Sequence, residues 1–242
     1  MTTLFISDLH LDASRPEITA LLLELLRGEA RTADALYVLG DLFEAWVGDD
    51  DPCEVGATVA KGLRQLSDAG VPVYFMRGNR DFLVGQAFAS RAGVRILPDP
   101  AVVVLHGRPV LLMHGDLLCT ADTAYQAFRT QTRNPAWQQQ FLSQKLDARL
   151  AFAVQARAAS KSHQEGLRGD GGHARFESIT DVSPDTVAET FTLFGIDTLI
   201  HGHTHRPKIH RQGEHTRIVL GDWYEQGSVL RVNAAGYTLD TL

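Results

Sequence analysis

The sequence predicts an α/β fold built on a mixed sheet. Two patterns carry that prediction. Five apolar runs each end in a polar, potentially ligating residue, the way a buried strand delivers a side chain to the carboxyl edge of a sheet. They are Thr3–Ser7 into Asp8-Leu9-His10, Leu36–Leu39 into Gly40-Asp41, Val73–Arg77 into Gly78-Asn79-Arg80-Asp81, Val110–Met113 into His114-Gly115-Asp116, and Thr198–Ile200 into His201-Gly202-His203-Thr204-His205. Between several of these runs lie stretches with the leucine and valine spacing of amphipathic helices.

Each element follows from local chemistry. Pro16 to Arg27 has helical leucine spacing and stops at Gly28. Residues 35–39 read as a strand, followed by the acidic loop Gly48-Asp49-Asp50-Asp51. Pro52 suits a first helical position, with Val55, Val59, Leu63 and Leu66 on one face and Gly70 beyond the end. A strand at 71–77 and a helix near 84–92 come next. From Val94 to Met113 short β-rich runs, joined at Pro98-Asp99-Pro100 and His106-Gly107-Arg108-Pro109, predict antiparallel strands. Ser183-Pro184 is a capped start for a helix bearing Val187, Phe191 and Phe194 and closed by Gly195. From Thr216 to Leu239 the chain alternates and turns like a strand meander.

The segment 120–165 departs from this alternation. Trp137, Phe141, Leu142, Leu146, Leu150, Ala153 and Val154 form a helical stripe, preceded by a shorter helix with Tyr125 and Phe128 and jointed at Asn134-Pro135. Two arrangements fit: a helical insertion serving as a cap, or a helical layer packed on the sheet.

Composition limits the function. The 242 residues suffice for one α/β domain with an insertion, and 44% hydrophobic with 21% charged residues is ordinary for a globular chain. No apolar run nears the ~20 residues of a membrane span, and Asp8 comes too early for a signal peptide. Cys53 and Cys119 form no Cys-x-x-Cys pair and read as reduced packing thiols of a cytosolic protein. A net charge of −6 argues against broad nucleic-acid binding, and no protein partner is expected. Within 122–175, eight Lys/Arg against four Asp/Glu give +4, leaving −10 for the remainder. Such a segment fits a phosphate-bearing ligand, an anionic membrane surface or ordinary scatter on a solvated helix.

Asp8, His10, Asp41, Asn79, His114, His203 and His205 together offer two carboxylates, four imidazoles and an amide oxygen. One divalent ion takes four to six ligands, so seven suit two ions bridged by a carboxylate, an arrangement for phosphoester hydrolysis without a covalent nucleophile. Oxygen and imidazole without thiolate fit Mn²⁺ while leaving Zn²⁺ and Fe²⁺ open. Arg80, two positions past a strand end, can present a planar fork to phosphate oxygens or pair with Asp81 at the surface.

In this order the motifs Asp-x-His, Gly-Asp, Gly-Asn-x-Asp, a later His and Gly-His-x-His resemble the calcineurin-like metallophosphoesterases. The resemblance spans most of the chain. It implies an αββα sandwich with mixed sheets, a helical cap insertion at about 120–165 in a single domain, and a dinuclear site at the strand ends. It also implies one ion on Asp8, His10, Asp41 and His205 and another on Asp41, Asn79, His114 and His203, with Asp41 shared.

Arg80 in place of the histidine many relatives carry, the long run Gly40–Asp50, the helical insert and His203-Thr204-His205-Arg206-Pro207 narrow the resemblance. They are similar to the UDP-2,3-diacylglucosamine hydrolase family of the lipid A pathway. That likeness implies water attack on the α-phosphorus of a UDP-linked diacylglucosamine lipid, two Mn²⁺ per chain, and peripheral attachment to the cytoplasmic face of the inner membrane. It implies a catalytic set of Asp41, Asn79, Arg80, His114 and His203. Substrate contacts would fall on Asn79, Arg80, His203, Asp122 and Ser160, with Gln164 where the family has Asn and Arg175 where it has Lys. The motifs alone leave open a phosphodiesterase acting on another nucleotide or nucleic-acid substrate. A metal-free interaction scaffold would have lost ligands, and all seven are present.

Overall fold

The computed structural model describes residues 2–169 and 179–242. The chain divides into two units, one of residues 1–114 with 191–242 and one of residues 115–190.

The first unit holds two sheets. One has six strands, β1 (Thr2–Ile6), β2 (Ala35–Leu39), β3 (Val73–Met76), β4 (Val94–Leu97), β10 (Ser228–Asn233) and β11 (Gly236–Thr241), in the order β11-β10-β1-β2-β3-β4. The other has five, β5 (Ala101–Leu105), β6 (Arg108–Met113), β7 (Thr198–His201), β8 (Lys208–Gln212) and β9 (His215–Val219), in the order β5-β6-β7-β9-β8. β1 to β4 run parallel and β10 antiparallel to β1. In the second sheet β6, β7 and β9 run parallel, with antiparallel β5 and β8 at the edges. Phe5, Leu39, Met76 and Leu230 of the first sheet share one buried cluster with Leu112, Ile200 and Ile218 of the second, so the sheets face each other.

The helices α1 (Pro16–Arg27), α2 (Glu54–Asp68) and α3 (Gln86–Ala92) connect the parallel strands. α1 has Pro16 in its first turn and buries Ile18, Leu22, Leu25 and Leu26 on one face. α3 is capped from a distance: Asp49 accepts the backbone N–H of Gly85 at 2.9 Å and of Phe88 at 2.8 Å. One residue of the acidic 48–51 loop is thereby used in structure, its charge set against the helix N-terminus.

Three expectations are corrected. β4 pairs parallel with β3 rather than antiparallel with its successor, because α3 is a true crossover. The carboxyl-terminal strands split, β9 joining one sheet and the β10–β11 hairpin the other. β8 had no counterpart in the prediction, since Lys208, Arg211 and Gln212 are exposed on an edge strand and show no apolar alternation.

The second unit is helical: α4 (Thr123–Thr132), α5 (Pro135–Leu142), α6 (Leu146–Gly169) and most of α7 (Pro184–Phe194). Asn134 caps α5 by accepting the Ala136 N–H at 2.8 Å, which accounts for the joint at Asn134-Pro135. The single expected stripe is broken between α5 and α6, and its residues take two roles. Phe141 is buried and packs with Trp137 and Phe152 at centroid distances of 4.9 and 5.1 Å. Leu142, Leu150 and Val154 stay 40%, 41% and 68% exposed. Gly166 and Gly169 belong to α6.

Candidate metal centre

Loops at the carboxyl ends of β1, β2, β3, β6 and β7 bring the seven candidate ligands together. The Asp8 N–H donates to Gly40 O at 3.0 Å, His10 N–H to Asp41 O at 2.9 Å and Gly202 N–H to His114 O at 2.8 Å, so each ligand loop is tied to its neighbour. Gly40 is required at its position: φ is +91°, and a Cβ would lie 2.5 Å from His114 Nδ1 and 2.6 Å from Gly78 Cα.

Two clusters result, Asp8 with His10 and His205, and Asp41 with His114 and His203, each with ligand atoms within 4.8 Å of one another. Asp41 stands between them, Oδ2 lying 3.9 Å from His10 Nε2 and Oδ1 3.8 Å from His114 Nε2. Asn79 Oδ1 joins the second cluster, 2.9 Å from His114 Nε2 and 2.8 Å from His203 Nδ1. In the first, His10 Nε2 and His205 Nε2 are 3.3 Å apart, and His205 Nε2 lies 3.4 Å from Asp8 Oδ1. Adjacent ligands on an ion with ~2.1 Å bonds sit about 3.0 Å apart in octahedral and about 3.4 Å in tetrahedral geometry. The donor set and its spacing therefore fit a divalent ion in each cluster.

The unshared atoms agree. Asp8 Oδ2 accepts from Ser7 Oγ at 2.5 Å and from the His203 N–H at 2.9 Å, leaving Oδ1 buried without a hydrogen bond. His114 Nδ1 lies 2.9 Å from Leu39 O; a carbonyl accepts only, so Nδ1 carries the proton and Nε2 is bare for a metal. Burial disfavours the Asp8 carboxylate, but the close contact with His205 and the charges of the surrounding histidines win and hold its pKa well below the ordinary range. Burial also disfavours a charged His205; its contacts to Asp222 and Asp8 overcome that and push its pKa up to about 10.

Several residues with no ligand signature also build the site. The buried Asp81 accepts N–H groups from Gly78 at 2.8 Å, Leu42 at 2.7 Å and Asp41 at 3.3 Å, joining the Asn79 loop to the Asp41 loop. Burial first and the Asp41 charge second raise its pKa to about 6, against the opposing amides. Asp81 is thus turned inward rather than into a surface salt bridge with Arg80. The Arg80 Nε is buried without a hydrogen-bond partner, and its backbone N–H donates to Asp41 Oδ1 at 2.8 Å. Glu44 Oε2 lies 2.9 Å from His10 Nδ1 and Asp222 Oδ2 3.1 Å from His205 Nδ1. Tyr224 stacks on His10 with centroids 5.1 Å apart. Glu44 sits three residues after Asp41 and Asp81 two after Asn79, but sequence spacing does not say which acid faces an imidazole.

The sequence model of the calcineurin-like phosphoesterase family matches residues 1–207. Curated relatives called UDP-2,3-diacylglucosamine hydrolase include one from Stenotrophomonas maltophilia K279a, 65% identical over 100% of this chain and 99% of that protein. Another, from Xanthomonas axonopodis pv. citri, is 63% identical over the same shares. The chain belongs to the calcineurin-like phosphoesterases and, within them, to the UDP-2,3-diacylglucosamine hydrolase family. Among solved structures, an archaeal phosphodiesterase shares the fold across the full length of both chains, with a TM-score of 0.52 at 12% identity.

The remaining candidate substrate residues lie in the helical unit or outside the described residues. Asp122 caps α4, accepting the Tyr125 N–H at 3.0 Å, and lies 3.7 Å from His163 Nε2 on α6. Ser160 is half-buried one turn before His163 on the same helix. Gln164 lies on α6, and Arg175 falls outside the described residues.

Proposed function

We propose that the chain hydrolyses the pyrophosphate of UDP-2,3-diacylglucosamine, releasing UMP and 2,3-diacylglucosamine 1-phosphate (lipid X) by water attack on the α-phosphorus. The observation that carries this reading is full-length identity of 62–65% to hydrolases of that name, on a chain whose strand ends converge seven hard or borderline ligands. Asp8, His10, Asp41 and His205 hold one ion and Asp41, Asn79, His114 and His203 the other. Two Mn²⁺ are the proposed occupants, since neither cysteine belongs to the ligand clusters. When bound, such a pair acidifies a water and offsets the charge that develops on phosphate oxygens.

The protein's own groups supply the rest. Asp41 keeps one oxygen on each side of the centre, fixing the spacing between the two clusters. Arg80, whose Nε lacks a protein partner, donates to a phosphate oxygen and stabilises charge in flight. Asn79 and His203 contact the same group as they ligate. Asp122, Ser160, Gln164 and Arg175 hold the sugar and its phosphate. The exposed Leu142, Leu150 and Val154 take acyl chains, each buried CH₂ contributing about 0.8 kcal/mol. No described helix is long and apolar enough to cross a membrane, and the proposed attachment is peripheral, on the cytoplasmic face of the inner membrane.

Incubating the metal-loaded protein with UDP-2,3-diacylglucosamine, beside a generic phosphodiester, tests the proposal. UMP and the acylated sugar phosphate are expected by mass spectrometry. Turnover of the generic ester with none of the UDP-lipid would defeat it.

A further inference from the structure

Behind the ligands, the two clusters differ in charge. Both histidines of the first cluster have an outer ring nitrogen facing a carboxylate: His10 faces Glu44 at 2.9 Å, and His205 faces Asp222 at 3.1 Å. In the second, the outer nitrogen of His114 meets the neutral carbonyl of Leu39, and Asn79 contributes a neutral amide oxygen. Two acids lie on that side and accept from the backbone: Asp99 Oδ1 accepts the His114 N–H at 3.3 Å, and the Asp81 carboxylate takes the N–H groups of Gly78 and Leu42.

The fold fixes both carboxylates. The Glu44 N–H donates to Leu11 O at 3.1 Å, beside the bridge between Leu11 and Phe43, so Glu44 is pinned to the loop that carries His10. Asp222 precedes Trp223, which is fully buried, donates its Nε1–H to Ser228 O at 3.0 Å and its backbone N–H to Asp8 O at 3.1 Å. His10 is held from a further side by the ring of Tyr224, interplanar angle 8°.

A carboxylate on the far nitrogen fixes the tautomer of a ligating imidazole and raises its basicity, and loss of such a partner typically costs ten- to a hundredfold in metal affinity. We propose that Glu44 and Asp222 are positioning residues that make the Asp8–His10–His205 site the tighter and first-filled of the two, so that the centre assembles in a fixed order. The second ion then arrives at a site already carrying a neighbouring cation, with one carboxylate, Asp41, shared between them. This inference rests on the dinuclear reading above.

Titration of the metal-free, full-length protein with Mn²⁺, by calorimetry and by loss of the free-ion EPR signal, tests it. The wild type should bind two ions in steps at least tenfold apart in affinity. Glu44→Gln keeps the side chain's size and an oxygen beside His10 while removing its charge, and Asp222→Asn does the same at a site 30% exposed, where misfolding is not expected. Each should weaken the first step by ten- to a hundredfold and leave the second within about threefold. Asn79→Ala should remove the second step and keep the first. Two ions bound with one affinity would overturn this inference alone, as would variants that leave the first step unchanged. Equal weakening of both steps with a lower melting temperature would assign the two acids a merely structural role. A wild type that takes only one ion would defeat the dinuclear reading and this inference with it.

Discussion

Gly202 separates His201 from the ligand His203, and substitution by alanine should disrupt the metal centre without altering any ligand. A Cβ at this position would lie 2.3 Å from Asp8 Oδ2, 2.4 Å from Ser7 Oγ and 2.8 Å from Ser7 Cβ. Ordinary contact begins at 3.4 Å, so Asp8 or the 202–205 loop must retreat by about 1.1 Å. Asp8 has nowhere to go as a unit: its backbone N–H is bonded to Gly40 O and its carbonyl accepts from Trp223. Either the carboxylate rotates off its bonds to Ser7 Oγ and the His203 N–H, or the loop withdraws and takes His203 and His205 along.

Both relaxations move ligands by about an ångström, a misplacement that can cost on the order of 10²-fold in rate, and crowding of this kind costs roughly 1–3 kcal/mol of stability. Metal content after gel filtration, denaturation in chelator and hydrolysis rate would be measured side by side. Gly202→Ala should stay folded, lose most of one equivalent of metal and fall about a hundredfold in kcat/KM. Gly213→Ala is the control: it has φ of +59° with nothing within 4 Å, so it should cost backbone strain of about 1 kcal/mol and leave metal and turnover alone. A folded Gly202→Ala enzyme with two ions and turnover within about threefold of wild type would refute the steric argument.

Asp41→Ala should abolish turnover and lower metal content more than His114→Ala, because its two oxygens face different clusters; near-full occupancy by metal analysis would exclude a bridging role. Hydrolysis in ¹⁸O-water should label UMP, and label in the sugar phosphate would mean attack at the other phosphorus. A charged residue at Leu142 or Leu150, both at exposed positions, should raise KM for the diacyl substrate and spare a small phosphodiester; equal losses on both would argue for a packing role. Burial lowers the His201 pKa to about 3, so below pH 6.5 the unfolded chain binds a proton that the folded one excludes. Folding stability should therefore fall with pH from 6.5 toward 3, by at most about 1.4 kcal/mol per unit from this residue, and urea midpoints at pH 7.5 and 5 should differ less in metal-free His201→Gln than in wild type.

Where the sequence was legible, burial was one-sided or complete. Strand 35–39 was delimited correctly since all five of its residues are buried, as was α1 with its apolar stripe and Pro16 start. Strand partners were not legible. Nothing in Val94–Leu97 distinguishes parallel from antiparallel pairing, and the two-sheet division depends on where β9 and β10 return, which is a matter of long-range packing. The seven ligands stood out because hard side chains after apolar runs are costly to bury for structural reasons alone. Ser7, Glu44, Asp81 and Asp222 did not, since each acts through a partner that only the fold brings near. Asp81 is the sharpest case: beside Arg80 in sequence it reads as one half of an ion pair, whereas its carboxylate collects amides from two loops.

Backbone conformation links the sequence motif to the site. Among the described residues, six other than glycine have positive φ, and five are candidate ligands: Asp8, His10, Asp41, His203 and His205, between +50° and +70°. Left-handed backbone is sterically costly for residues with a Cβ, of order 1 kcal/mol or more each, and persists only where the surroundings over-determine it. Glycine would relieve the strain but carries no ligand. The left-handed turn directly after β1 lets Asp8 and, two residues on, His10 both reach the same cluster, where an extended continuation would carry the chain past the sheet edge. His203 and His205 repeat the device after β7, and there it sends one imidazole to each cluster. The Asp-x-His and His-x-His spacings are thus the sequence trace of two strained turns. Asp81, Gly40 and the hydrogen bonds between loops hold the ligand loops against one another, so part of the cost of ordering the site is met by the fold itself.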